Sequence, residues 1–188
     1  MELKYLKMKS SKLTLHDIAI KEKRWKDVIL ENELTLFKDF LEKGLEKGYQ
    51  DAEDNAWIIK TLVDKKQRNR FKDVRISILV GSGLYPYSMF DLHKQYPHIK
   101  QIGLEIDNNR AIASKQLVKA SPAKNNIKII NIDGLDFNYS WLTTEDIVFI
   151  SVDVDGEKIF KKILETSKAQ PLMCAPYRYS WLKNLVKL

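Results

Sequence analysis

The chain has 188 residues, 44% of them hydrophobic and 30% charged, with 7 Gly, 5 Pro and 1 Cys. That is enough apolar content for one ordinary core and too much for disorder, while a lone Cys174 excludes a disulfide framework and a four-thiolate zinc site. The formal charge of +7 is shared between 1–72 and 73–188, so there is no basic tail, and only Lys65, Lys66, Arg68, Arg70 and Lys72 form a local cluster.

Met1 to Ser10 alternates Leu with Lys and lacks the unbroken apolar stretch of a signal peptide. No segment is apolar for long enough to span a bilayer, so the expectation is a soluble, cytoplasmic protein without a membrane partner. The first third reads as helix. Leu15, Ile18, Trp25, Val28 and Ile29 suggest one amphipathic face; Leu34, Phe37, Leu41 and Leu45 recur at helical spacing until Gly48. A third helix carries Ala56, Ile59, Leu62 and Val63, capped by Asp51 or Asp54, and Trp25 and Trp57 are expected to dock these helices on the core. The expected division is a helical segment over 1–72 and a second domain over 73–188.

From Val74 the periodicity changes. Val74–Val80 reads as a strand ending in Gly81-Ser82-Gly83, followed by a helix over Ser88–Gln95 that Tyr96-Pro97 stops. Ile102–Ile106 is a second strand and Asn108–Ala120 a helix. Ile127–Ile132 and Ile147–Val152 are further strands, with a helix from Glu157 to about Lys168. Pro171–Ala175 makes a short fifth strand and Tyr179–Leu188 a last helix. Strands separated by helices pair in parallel, because parallel neighbours need a crossover. The fold class is therefore α/β, a doubly wound and mostly parallel sheet of Rossmann-like type.

Such sheets bind ligands beyond the carboxyl ends of their strands, where the strand order reverses. There the first strand offers Gly81, Ser82 and Gly83, whose glycines permit positive φ and close backbone approach. The second ends in Glu105 and Ile106, a carboxylate suited to ribose hydroxyls beside an apolar side chain. Asp107 suits a helix cap better than a ligand. The third ends in Asp133-Gly134, where the carboxylate or adjacent backbone either meets an adenine amino group or the acid is a surface cap. A dinucleotide fingerprint would need glycine where Pro86 stands, which disfavours NAD and leaves S-adenosylmethionine, a nucleoside cofactor without phosphate.

Ile78–Ser88 (ILVGSGLYPYS), Gly103–Asp107 (GLEID) and Asn131–Gly134 (NIDG) resemble the class I S-adenosylmethionine-dependent methyltransferases over about 74–176. Within that superfamily the Gly-Ser-Gly-x-x-Pro-x-Ser pattern is similar to nicotianamine synthase and its bacterial relatives, which transfer an aminocarboxypropyl group. That sub-family shares the departures at Leu79, where many members have an acid, and at Tyr85, where many have glycine. The resemblance implies a transferase with S-adenosylmethionine held by Gly81, Ser82, Gly83, Glu105, Ile106, Asp133, Gly134 and Ser151. Tyr85 and Tyr87 would face the reacting end, with Asp153 as a candidate base. Asp155 reads equally as a helix cap, and Asn138, Tyr139 and Trp141 either wall a ligand or form a plain aromatic cluster.

The expected function is methyl transfer to a small-molecule acceptor. Aminocarboxypropyl transfer to an amine is the alternative on the same fold. An RNA methyltransferase using Lys65–Lys72, a non-catalytic nucleoside-binding or assembly protein, and an NAD-dependent dehydrogenase, which shares the acid after the second strand but lacks the third glycine, are the remaining readings. The sheet edge after the fifth strand needs a cover, and a second copy of the chain in a homodimer would supply one. His16, His93 and His98 show no ligand spacing, and Asp153-Val154-Asp155-Gly156 lacks the remaining positions of a calcium loop, so no metal is expected.

Overall fold

The computed structural model describes residues 71–151 and 154–173. It contains strands β1 (Ile76–Val80), β2 (Lys100–Glu105), β3 (Ile127–Asn131), β4 (Ile147–Ile150) and β5 (Gln170–Met173), with helices α1 (Tyr87–Gln95), α2 (Asn108–Ala120) and α3 (Gly156–Thr166). The expected helices before Phe71 and after Met173, the cluster Lys65 to Arg70, and Trp25, Trp57 and Cys174 lie outside the described residues, as does Asp153.

All four strand pairings are parallel and the order is β3-β2-β1-β4-β5. The chain runs outward from β1 through β2 to β3, then returns to the other side of β1 for β4 and β5. The order thus reverses between β1 and β4, which fixes the crevice at the carboxyl ends of those strands. In β1, Leu79 packs with Met89, Phe90, Ala111 and Leu117 on one face, while Ile78 and Val80 pack with Ile159, Phe160 and Ile163 on the other. β4 alternates in the same way, Phe149 with the first set and Val148 and Ile150 with the second. Successive side chains of a strand point to opposite faces, so a continuous apolar run is what a sheet covered on both sides requires. Here α1 and α2 cover one face and α3 the other.

Most element boundaries differ from the sequence reading by one or two residues, and those of β2 differ for identifiable physical reasons. β2 begins two residues earlier than its apolar run, because the Gln101 side chain is buried and satisfied: its Nε2 donates to the Met89 carbonyl at 3.0 Å. Ile106, expected as the last residue of that strand, lies beyond it and is 67% exposed. Pro171 fits β5 because that strand is one of the two sheet edges among the described residues, where a missing N–H is tolerated. Phe71 stacks on Tyr96 at 5.4 Å and on Phe149 at 6.1 Å, which carries the core back to the first described residue.

Candidate nucleoside site at the carboxyl end of the sheet

The register sets Val80 beside Leu104 and Ile150, and Glu105 beside Asn131. The segments that leave these strands therefore emerge side by side. Gly81 and Gly83 both have positive φ, 77° and 76°, the region where a side chain is strained, so the sequence expectation for this pair is met. The N–H groups of Gly81 and Ser82 both donate to the Leu104 carbonyl, at 2.9 and 3.0 Å, folding the loop across the end of β2.

Glu105 holds that loop from below. Its side chain is buried, with Oε2 accepting the Gly83 N–H at 2.8 Å and Oε1 accepting the Asp107 N–H at 3.1 Å. Each carboxylate oxygen keeps a second lone pair, and any ligand hydroxyl would share the group through those. Asn131 fixes the neighbouring backbone: its Nδ2 donates to the carbonyls of Glu105 at 2.8 Å and of Ile106 at 3.0 Å. Ile106 is thereby presented to solvent from a clamped backbone.

Gly103 lies beneath the loop and was not singled out as a site residue from sequence. A Cβ there would stand 2.6 Å from Ile129 Cδ1, 2.9 Å from Ser82 Cβ and 3.0 Å from Met89 Sδ. Bare backbone at 103 is what lets Ser82 and α1 settle on β2. The Ser82 hydroxyl is buried and has no hydrogen-bond partner among the described residues, an unsatisfied polar atom inside the glycine loop.

After β3, the Asp133 Oδ1 accepts the Leu135 N–H at 2.8 Å within the local turn, and its Oδ2 has no hydrogen-bond partner among the described residues. Gly134 packs tightly over the end of β1, where a Cβ would meet Val80 Cγ1 at 2.5 Å. Tyr139 is fully buried, donates its phenol to the Gly134 carbonyl at 2.9 Å and meets Phe137 edge-on at 5.1 Å. Burial, with the Asp133 charge adding to it, pushes this phenol well above the usual tyrosine range. Lys162 on α3 ties the same loop by donating to the Leu135 carbonyl and lies 5.8 Å from the Tyr139 ring. Of the three residues weighed as a wall, Tyr139 is thus core, while Trp141 is half-exposed with its Nε1 donating to the Asn138 carbonyl at 2.8 Å.

Ser151 continues the ladder beyond β4, its N–H donating to the Val80 carbonyl at 3.0 Å. Tyr85 is buried and packs edge-on to Phe90 at 5.8 Å, whereas Tyr87, the first residue of α1, is half-buried. Asp107 accepts the Arg110 N–H at 2.9 Å and caps α2 as expected. Asp155 precedes α3 but makes no cap hydrogen bond; its Oδ2 takes Lys158 Nζ at 2.7 Å instead, which holds its carboxyl below the usual range. No group of His, Cys, Asp and Glu among the described residues is arranged to hold a metal, and no helix among them is long and apolar enough to cross a membrane.

No family model matches the sequence, and no curated protein matches it. Solved structures do. A mutant of MtNAS in complex with S-adenosylmethionine aligns over 90% of this chain and 68% of its own, at 12% identity and a TM-score of 0.63. The mitomycin 7-O-methyltransferase MmcR aligns over 68% of this chain and 36% of its own, at 15% identity and a TM-score of 0.51. A candidate S-adenosyl-L-methionine-dependent methyltransferase from Methanococcus maripaludis aligns over 70% and 62%, at 15% identity and a TM-score of 0.51. The chain spans from 34% to 68% of the length of the neighbours it matches. With its five parallel strands in the order β3-β2-β1-β4-β5, the described part of this chain has the Rossmann-like fold of the class I S-adenosylmethionine-dependent methyltransferases.

Proposed function

We propose that this protein is an S-adenosylmethionine-dependent transferase and that its first activity is methyl transfer to a small molecule. The observation that carries the reading is the convergence at one sheet end of a positive-φ glycine loop, an acid gripping that loop, an exposed apolar side chain and a second acid. Gly81 and Gly83 leave backbone open to an amino acid moiety, Glu105 has lone pairs for ribose hydroxyls, Ile106 offers an apolar wall to a base, and Asp133 Oδ2 is available to an amino group. The orphaned Ser82 hydroxyl adds an unused polar group to the same loop. These residues fit an adenosine cofactor.

When bound, S-adenosylmethionine supplies a sulfonium carbon that is already activated, so little acid–base chemistry is asked of the protein. The chain's contribution is then alignment and exclusion of water. Asn131 and Gly103 set the position of the loop and of Ile106, and Tyr139 fixes the Asp133-Gly134 turn over β1. Asp153 remains the candidate base for an acceptor.

Aminocarboxypropyl transfer is the second reading. It is favoured by the alignment to MtNAS over 90% of this chain and by the pattern Gly81–Ser88, which resembles that of the nicotianamine synthases. Product analysis separates the two: methyl transfer releases S-adenosylhomocysteine, and aminocarboxypropyl transfer releases methylthioadenosine. Incubation of the full chain with S-adenosylmethionine and a panel of amines, amino acids and phenols is the test. Formation of neither product with any acceptor would contradict the transferase reading.

A further inference from the structure

A groove of about 380 Å³ runs along the outer edge of β3, away from the nucleoside site. Lys115 and Lys119 flank it from α2, Lys124 from the following turn and Lys128 from β3, an edge strand among the described residues; Val118, Ile127 and Ile129 form an apolar floor. All four lysines are exposed, and none makes a side-chain hydrogen bond or ion pair among the described residues. No carboxylate lines the groove, and Lys100, whose Nζ donates to the Asn125 carbonyl at 3.2 Å, adds a fifth cation at its margin. The exposed lysines of α3 are different, because Lys158 is paired with Asp155 and Lys161 with Glu157, each at 2.7 Å.

One sign of charge over a low-dielectric floor concentrates field lines and attracts the opposite charge. The geometry points to a docking surface for the phosphate backbone of a nucleic-acid duplex. Lysine is a point charge that follows phosphates without reading bases, and the lining offers no aromatic ring on which an unpaired base would stack. The floor lies at the amino-terminal part of β3, whereas the nucleoside site lies at the carboxyl end, so the groove tethers a duplex without holding a reacting group. The inference stands apart from the transferase proposal and from the Lys65–Lys72 cluster. Two local roles compete with it: Lys119 in the last turn of α2 suits the helix dipole, and lysine on an edge strand discourages strand pairing.

The test is fluorescence anisotropy of a labelled RNA duplex and a DNA duplex of equal length, titrated with the full chain over a range of salt. Four phosphate contacts give a slope of about −3.6 in log affinity against log salt, a roughly hundredfold loss from about 50 to 200 mM. The Lys124→Gln/Lys128→Gln variant is expected to flatten that slope by about 2 and to weaken binding on the order of tenfold or more. Lys158→Gln/Lys161→Gln removes the same net charge and is expected to change neither. The inference is overturned if the wild-type chain binds neither duplex, if the groove variant binds as well as wild type, or if both variants lose binding equally. Competition by polyglutamate as effective as by duplex would also overturn it, since an acidic protein segment would then be the partner.

Discussion

The Gly83 N–H and the Glu105 carboxylate, 2.8 Å apart, join the loop after β1 to the end of β2. A buried carboxylate that accepts two backbone N–H groups ties the two segments together, and it is the group proposed above to meet a ribose. Glu105→Ala leaves two N–H donors without partners and is expected to lower stability by about 3 kcal/mol. Glu105→Gln keeps one acceptor and should cost less than half of that. If the acid also serves a ligand, both variants lose S-adenosylmethionine affinity at temperatures where they remain folded. Urea unfolding and ligand titration of the two variants check this.

Gly81→Ala and Gly83→Ala each place a Cβ on backbone with positive φ, at an expected cost of about 1–2 kcal/mol. Their larger effect should be on ligand affinity, because the loop must leave this conformation to relieve the strain. Thermal unfolding with and without S-adenosylmethionine measures both, and the ligand-induced shift in Tm should shrink more than the apo Tm falls.

Gly103→Ala tests whether the loop is placed from beneath. The added Cβ meets Ile129 Cδ1 at 2.6 Å and Ser82 Cβ at 2.9 Å, an overpacking expected to cost about 1–3 kcal/mol. Weakened ligand binding in a variant that touches no ligand would identify Gly103 as a positioning residue.

Tyr139 gives a pH prediction. Its phenol is held protonated in the folded chain, well above the usual tyrosine range, by burial, with the Asp133 charge as the smaller cause. Below about pH 10 both folded and unfolded chains carry the proton, so the contribution is intact; above it the unfolded chain ionises first and stability falls. Tyr139→Phe should remove that part of the alkaline loss while costing about 1 kcal/mol at neutral pH from the Gly134 hydrogen bond. Unfolding free energies measured from pH 8 to 11 test the crossing of the two curves.

Much of the fold was legible because the strands are apolar on both faces. Ile78-Leu79-Val80 and Ile147–Ile150 are the continuous apolar runs that a sheet covered on both faces requires, and Asp107 marks the start of the helix Asn108–Ala120. The glycine loop was legible for a conformational reason, since Gly81 and Gly83 do take positive φ. Less legible was what each polar group bonds. Nothing local in the sequence says that Gln101 is buried against the Met89 carbonyl, that Asn131 clamps the backbone of Glu105 and Ile106, or that Asp155 forsakes a cap for Lys158. These are contacts across 3 to 26 positions, settled by register and packing. The lysine groove was invisible for the same reason: Lys115, Lys119, Lys124 and Lys128 come together only when α2 is laid along β3.

The central claim is that an adenosine sulfonium cofactor binds at the carboxyl end of β1 and β2. Calorimetric titration of the full chain with S-adenosylmethionine, S-adenosylhomocysteine and NADH, with Glu105→Ala as control, tests it most directly. The account predicts saturable binding of both adenosine ligands, none of NADH, and loss of binding in the folded variant. A folded wild-type chain that takes up neither S-adenosylmethionine nor S-adenosylhomocysteine would contradict it.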